Sequence, residues 1–224
     1  SNKKFFLGNR KIKNLIYCND IRYEKWWLKK LSNKKSFKKK KTFVILVATR
    51  IPVDYYFPKE SYVKYIQDIM NIVENYKNIK VVFKTHPHGH EKNILKNILY
   101  NYRENLWTIN DNHLIYTASN SNLCISFITS ACFDFIAIKK PSIEYFCANT
   151  EFKKRNSSVK SVHLVNRNGK LETIFKSLDV VKSINNKKDL EKMIKFIMEN
   201  KNFYWKKNYN NFIKYNRNLK TSSI

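Results

Sequence analysis

The sequence predicts an α/β fold, a doubly wound parallel sheet with C-terminal closing helices. Two patterns and the composition lead there. Continuous β-branched apolar runs, as in Thr42–Thr49 (TFVILVAT), alternate with stretches whose apolar residues recur every three or four positions. The first pattern marks a strand buried on both faces and the second an amphipathic helix, and their alternation marks a parallel sheet covered by helices. The composition, 43% hydrophobic and 15% aromatic over 224 residues, supplies the core of one large domain or of one and a half. It excludes disorder, and 3 Gly with 4 Pro exclude collagen-like and linker-like chains.

Taken in order, residues 1–41 are polar and basic, with Trp26-Trp27 as the main apolar anchor and a lysine run from Lys34 to Lys41. They read either as a basic, irregular or helical lead-in or as the tail of a missing N-terminal domain. Thr42–Thr49 is the first strand. Ser61–Tyr76 carries a helical stripe (Tyr62, Tyr65, Ile66, Ile69, Ile72, Val73), and Lys80–Lys84 is the second strand. Glu91–Tyr102 is a helix with Ile94, Leu95, Ile98 and Leu99 on one face. A strand at Leu106–Ile109, a helix at His113–Ser119 and a strand at Leu123–Ser126 come next. Ser130–Ile138 is a helix, and the Lys140-Pro141 break leads into a strand at Ser142–Phe146. Val162–Val165 and the region near Val180 read as further strands, and Lys187–Asn200 and Phe203–Tyr215 as closing helices.

The charge, 44 Lys+Arg against 17 Asp+Glu, is +27. Lysine supplies 37 of those cations and arginine 7. Lys, Asn, Ile, Tyr and Phe are abundant together, as an AT-biased genome produces without selection for binding. The other source of such charge is attraction to an anion: a membrane leaflet, a nucleotide or a nucleic acid. Cys18, Cys124, Cys132 and Cys147 form no C-x-x-C pair and have no histidine at metal spacing, so zinc is not expected. Cys124 and Cys132 lie in apolar runs and read as buried thiols suited to a reducing compartment. The densest apolar stretch, Leu123–Ile138, is interrupted by polar residues and too short to span a bilayer.

Parallel open sheets bind ligands at the carboxyl ends of their strands. Three loops therefore matter: Arg50–Asp54, Thr85–His90 and Phe127–Ser130. The second holds three of the five histidines, His86, His88 and His90. A metal is one reading of that run, but only Glu91 stands near as a carboxylate. The other reading is that Lys84 and His86, fixed by Pro87 beyond the strand end, meet a phosphate. In the third loop Thr129 and Ser130 occupy N-cap positions, where a helix start can take a phosphate.

Leu123–Phe146, "LCISFITSACFDFIAIKKPSIEYF", resembles the region of GT-B glycosyltransferases where a strand enters a Ser-rich turn, then a helix, Lys-Pro and a strand. "KVVFKTHPH" resembles their preceding strand with its His-Pro motif. The pair resembles bacterial surface and capsular polysaccharide enzymes: sialyltransferases and polysialyltransferases with an HP motif, Kdo transferases and CDP-glycerol glycerophosphotransferases. The resemblance implies that residues 42–200 are a Rossmann-like nucleotide-sugar-binding domain, the C-terminal donor half of a GT-B fold, with 201–224 a helix and tail. It also implies either that the acceptor half is missing from this chain or that the protein is a divergent or truncated form. It places His86 as the catalytic group at the donor phosphate. Lys84, Pro87, Thr129 and Ser130 then bind the phosphates, and Glu144 lies near the ribose or base. Phe127 departs from the glycerophosphotransferase pattern, which has Asp there.

The activity that the resemblance implies is glycosyl transfer from a CMP-, CDP- or UDP-linked sugar to a glycan or lipid-linked acceptor, with no metal and no cofactor beyond the donor. The location implied is cytoplasmic, peripheral on an anionic inner leaflet. Two other readings stand beside it. One is a UDP-GlcNAc 2-epimerase-like enzyme, which needs several carboxylates around the sugar, whereas the strand-end loops are short of acidic residues. The other is a basic nucleic-acid-binding module using the Lys34–Lys41 run and the aromatic-basic tail "YWKKNYNNFIKYNRNLK".

Overall fold

The structure is a computed structural model, and it describes residues 21–32, 42–52, 57–86, 91–147, 164–167, 170–200 and 202–221. The strands are β1 (Phe43–Ala48), β2 (Ile79–Lys84), β3 (Trp107–Ile109), β4 (Leu123–Ser126), β5 (Ser142–Tyr145), β6 (Leu164–Arg167), β7 (Lys170–Thr173) and β8 (Lys182–Ile184). Among the described residues the α-helices are α1 (Lys25–Ser32), α2 (Lys59–Val73), α3 (Lys92–Leu99), α4 (Leu114–Ser119), α5 (Ala131–Ala137), α6 (Ile174–Ser177), α7 (Lys187–Glu199) and α8 (Lys206–Thr221).

Six strands form one sheet in the order β3-β2-β1-β4-β5-β8, every pair parallel. This is the Rossmann-like doubly wound arrangement, in which the order reverses beside the first strand. β1 is central because it has no polar side chain to leave in water. Phe43, Ile45 and Val47 join one core cluster and Leu46 and Ala48 another. The first cluster takes the inward stripe of α2 together with Leu95 and Ile98 of α3 and Leu190 and Ile194 of α7. The second takes Ala118 of α4 and Ala131 and Phe135 of α5. A third lies beyond α5, where Phe212 of α8 packs with Cys132, Ile136, Phe175, Val180 and Val181.

The core is rich in rings. Phe127 stacks on Phe57 at 4.0 Å and on Phe146 at 5.6 Å, and meets Tyr65 edge-on. Tyr145 donates to Asp68 Oδ2 (2.6 Å), which also pairs with Lys64 (2.7 Å), tying β5 to α2. Cys124, Cys132 and Cys147 are buried free thiols whose pKa values burial pushes up.

The expected elements lie where the patterns place them, with shifted ends. The helix expected at Glu91–Tyr102 stops at Leu99, and the one expected at Phe203–Tyr215 runs Lys206–Thr221. The strand expected near Val180 is Lys182–Ile184, while Val180 and Val181 fill the third core cluster. The antiparallel β6–β7 hairpin and α6 have no counterpart among the sequence patterns beyond the partial overlap of β6 with Val162–Val165. Trp26 is no anchor: it is 60% exposed, because α1 turns Trp27, Leu28 and Leu31 toward the body instead. The aromatic tail is engaged in packing, with Phe203 and Trp205 against the main core and Tyr215 stacked on Phe133.

Phe127→Ala should cost about 3–5 kcal/mol, the range for removing a large ring from a packed core. Chemical denaturation monitored by circular dichroism measures this, and a loss under about 1 kcal/mol would mean that the stack contributes little.

Candidate functional site

The order reversal puts β1 and β4 side by side, and a cleft of about 730 Å³ opens at their carboxyl ends. Ala48 and Thr49 line it from β1, Lys84–His86 from β2, Asp111–Leu114 from the loop after β3, and Thr129–Ala131 from the turn after β4. Lys84, His86, Thr129 and Ser130, which come from two distant loops of the sequence, thus share one cavity. Pro87, with His88 and His90, lies outside the described residues. Among the described residues no three His, Cys, Asp or Glu side chains stand together as metal ligands.

Buried hydrogen bonds set the β2 strand end. Thr49 N–H and its hydroxyl both donate to Lys84 O, at 3.0 and 3.1 Å. Glu91 is fully buried, and its Oε1 accepts from Thr49 Oγ1 and from the backbone N–H of His86. The carboxylate therefore clamps the two strand ends together and fixes where His86 begins. Near it, burial and then the charge of Glu91 raise the Tyr62 pKa, which keeps that phenol neutral.

The turn after β4 is held from below and from the side. Ile128 has φ 44°, a left-handed conformation that strains a β-branched residue. Phe127 beneath it is buried in the ring stack, and Arg50 Nη1 donates to Ile128 O at 2.6 Å. The start of α5 differs from the expectation of open N–H groups. Ala131 N–H donates to Thr129 Oγ1, Cys132 N–H to Thr129 O, and Phe133 N–H to Ser130 O. The seven-residue α5 thus satisfies much of its own first turn. What the turn brings to the cleft is two hydroxyl side chains.

The remaining wall comes from outside the three loops that the sequence singles out. Asp111 accepts from Lys92 Nζ (2.8 Å) and Thr85 Oγ1 (3.4 Å), and the bond from Lys92 lowers its pKa. Burial, then the charge of Lys84, lowers the pKa of His113 and favours the neutral ring. Its Nδ1 accepts from Ile115 N–H (3.3 Å), so the neutral ring carries its proton on Nε2. Arg22, preceding α1, reaches the same cleft with its Nε 3.8 Å from the buried Asp134 Oδ1. The cleft thus combines Arg22, Lys84 and Lys92 with Asp111 and Asp134. Applying the strand-end rule to β3 as well would have found Asp111 and His113. Arg22 carries no such signal, because it lies outside the sheet.

Glu144 stands apart from this constellation. It lies on β5 opposite Ser126 and Ser183, 1% exposed, and is absent from the cleft lining. Its Oε2 accepts from Thr173 Oγ1, which ties β5 to the start of α6. Burial raises its pKa to about 7, against the opposing effects of Thr173, Lys176 and Ser183.

No described protein family matches the sequence, and neither does any curated protein. Solved structures do match in shape. A Listeria monocytogenes protein described as a candidate UDP-N-acetylglucosamine 2-epimerase aligns over 83% of this chain and 44% of its own, at 15% identity and TM-score 0.50. TarM aligns over 84% of this chain and 36% of its own, at 13% identity and TM-score 0.51. The UDP-GlcNAc 2-epimerase of Neisseria meningitidis, solved with UDP-GlcNAc, gives 11% identity and TM-score 0.48 over 88% of this chain and 49% of its own. The chain spans less than half the length of each. The likeness is one of fold, a Rossmann-like α/β domain.

The Glu144 pKa makes a pH prediction. The folded state binds this proton more tightly than the unfolded chain, whose carboxyl titrates near 4.5. Stability therefore falls as pH rises from about 4.5 through about 7, by up to about 3 kcal/mol. Glu144→Gln should match the wild type near pH 5 and exceed it near pH 8 in thermal unfolding. Equal differences at both pH values would refute the assignment.

Proposed function

We propose that this domain binds a nucleotide sugar and serves as the donor half of a glycosyltransferase. The observation that carries the reading is the meeting of Lys84 and His86 with Thr129 and Ser130 in one cleft at the switch point of the sheet. Open α/β sheets bind nucleotides at this place.

In this reading the donor's phosphates lie between the two strand ends. His86 and Lys84 face the leaving phosphate from β2, and the Thr129 and Ser130 hydroxyls from the other side. Arg22, Lys92 and the Nε2–H of His113 add cations and a neutral donor around the same volume. Breaking the glycosidic bond leaves charge on the departing nucleotide, and preorganised donors aimed at that charge accelerate the step. Removing one such donor typically costs about 10²–10³ in rate. The acceptor is a glycan or a lipid-linked glycan of bacterial surface or capsular polysaccharide synthesis, and the site that binds it belongs to sequence beyond this domain.

A second reading, a sugar-nucleotide epimerase-like enzyme, draws on Asp111 and Asp134. These are two carboxylates in the lining of the cleft, the kind of group that an epimerase needs around its sugar. An epimerase turns over its sugar nucleotide without an acceptor, whereas a transferase needs one.

Thermal-shift measurements with CMP, CDP, UDP and GDP should identify one stabilising nucleotide. By calorimetry, His86→Ala should weaken it at least about tenfold and His90→Ala only slightly. Equal affinity in wild type and His86→Ala would overturn the assignment. Conversion of UDP-GlcNAc with no acceptor present, followed by NMR of the sugar, would replace it with the epimerase reading.

A further inference from the structure

We propose that the outward face of α1 docks on an anionic lipid bilayer. α1 lies against α4 with Trp27, Leu28 and Leu31 turned toward the body, and none of its residues is fully buried. Lys25, Trp26, Lys29 and Lys30 form the outward side, and their spacing places them together on the helix. Trp26 meets Trp27 edge-on at 5.5 Å, and Lys30 Nζ lies 5.9 Å from the Trp27 ring centroid. The result is an exposed indole on the same outward side of the helix as three lysines. Indoles favour the headgroup level of a bilayer, and lysines are drawn to anionic headgroups.

The charge of this region is one-sided. Residues 25–41 contain nine lysines and no carboxylate. Lysine ammonium groups act as point charges, well suited to a diffuse anionic surface and poorly suited to bidentate reading of bases. That favours a membrane over a nucleic acid.

The position of α1 fits a docked domain with an open cleft. α4 and α5 both begin at the cleft and end near the amino ends of β4 and β5, at Ser119 and Ala137. α1 runs alongside α4, with Arg22 at the cleft just before its start. Near its end, Leu28, Lys29 and Ser32 share a second cavity of about 430 Å³ with Ser119 and Ile138–Lys140. There Lys139 Nζ lies 5.2 Å from the Tyr209 ring centroid and Lys140 donates to Ser121 O at 2.7 Å, so both cations are held in place beside Lys29. A bilayer against the outward side of α1 covers the helical layer and leaves the strand ends accessible. This inference does not depend on which ligand the cleft binds.

Co-sedimentation of the full chain with phosphatidylcholine vesicles, with and without phosphatidylglycerol, tests it. Binding should require the anionic lipid and weaken as salt rises. Reversing Lys25, Lys29 and Lys30 to Glu should reduce partitioning at least about tenfold, since each cation near an anionic surface contributes about a fivefold effect. Reversing Lys187, Lys188 and Lys195, exposed lysines of α7, removes the same charge and should change partitioning far less. Trp26→Ala should reduce it several-fold without altering thermal unfolding, and gives an answer even if the triple variant does not fold. Equal losses in the two triple variants would overturn the proposal by showing diffuse charge alone. So would duplex DNA binding, or self-association, that follows the α1 substitutions while vesicle binding does not.

Discussion

A strand whose side chains are apolar on both faces must lie inside a sheet, and here that strand is β1. Placed between β2 and β4, it makes the order of the sheet reverse at its carboxyl end. The helices that leave β1 and β4 pass to opposite faces, α2 to one and α5 to the other. No helix can cover the strand ends where they part, so the cleft is a consequence of burying Ile45, Leu46 and Val47. The β1 pairings hold the rim in register, setting Ala48 beside Lys84 on one side and Ser126 on the other. The groups proposed to meet the phosphates therefore sit where backbone hydrogen bonds put them, at the ends of strands that cannot slip without exposing a core face.

The electrostatics of the cleft differ from those of the chain. A protein with a net charge of +27 could have a uniformly cationic pocket, yet this one keeps two carboxylates among its cations. Asp111 holds Lys92, and Asp134 stands beside Arg22. A long cation paired in this way loses rotamer freedom before a ligand arrives, which lowers the ordering cost at binding. The same carboxylates repel a polyanion that enters without displacing or sharing their partners. The cleft is therefore more selective than the surface charge suggests, and the charge on α1, where no carboxylate intervenes, is of a different kind.

The sheet was legible because β1, the core of β2 and the start of β4 are continuous apolar runs and the long helices carry clear stripes. By contrast, β8 (Lys182–Ile184) has no such run and begins directly after the apolar pair Val180-Val181. His86, Lys84, Thr129 and Ser130 were legible because strand ends are where open sheets bind. Glu144 also ends a strand, but β5 lies one strand beyond the reversal. There the chain from β7 into α6 covers the strand end, and Thr173 takes the carboxylate into the interior. Arg22 and the burial of Glu91 depend on how distant segments pack, which no local pattern encodes. Phe127 was visible as a departure from a family pattern, but its cause was not: the position faces the ring stack of Phe57, Tyr65 and Phe146, where a carboxylate would be buried without a partner.

That stack links the stability of the domain to its site. Ile128 adopts a strained backbone conformation directly between Phe127 and the hydroxyls of Thr129 and Ser130. Such strain, of order 1–3 kcal/mol, persists only where the surroundings over-determine it. Here the surroundings are the rings below, Arg50 on the carbonyl, and the local hydrogen bonds of Thr129. Loosening the core under Phe127 would let Ile128 relax, and the first atoms to move would be the hydroxyls at the cleft. On the opposite rim, the Glu91 clamp sets His86 in the same way, from a buried group that never reaches the ligand volume. Both sides of the site are thus positioned from inside the core, so substitutions far from the cleft are expected to alter binding through these two supports before they unfold the domain.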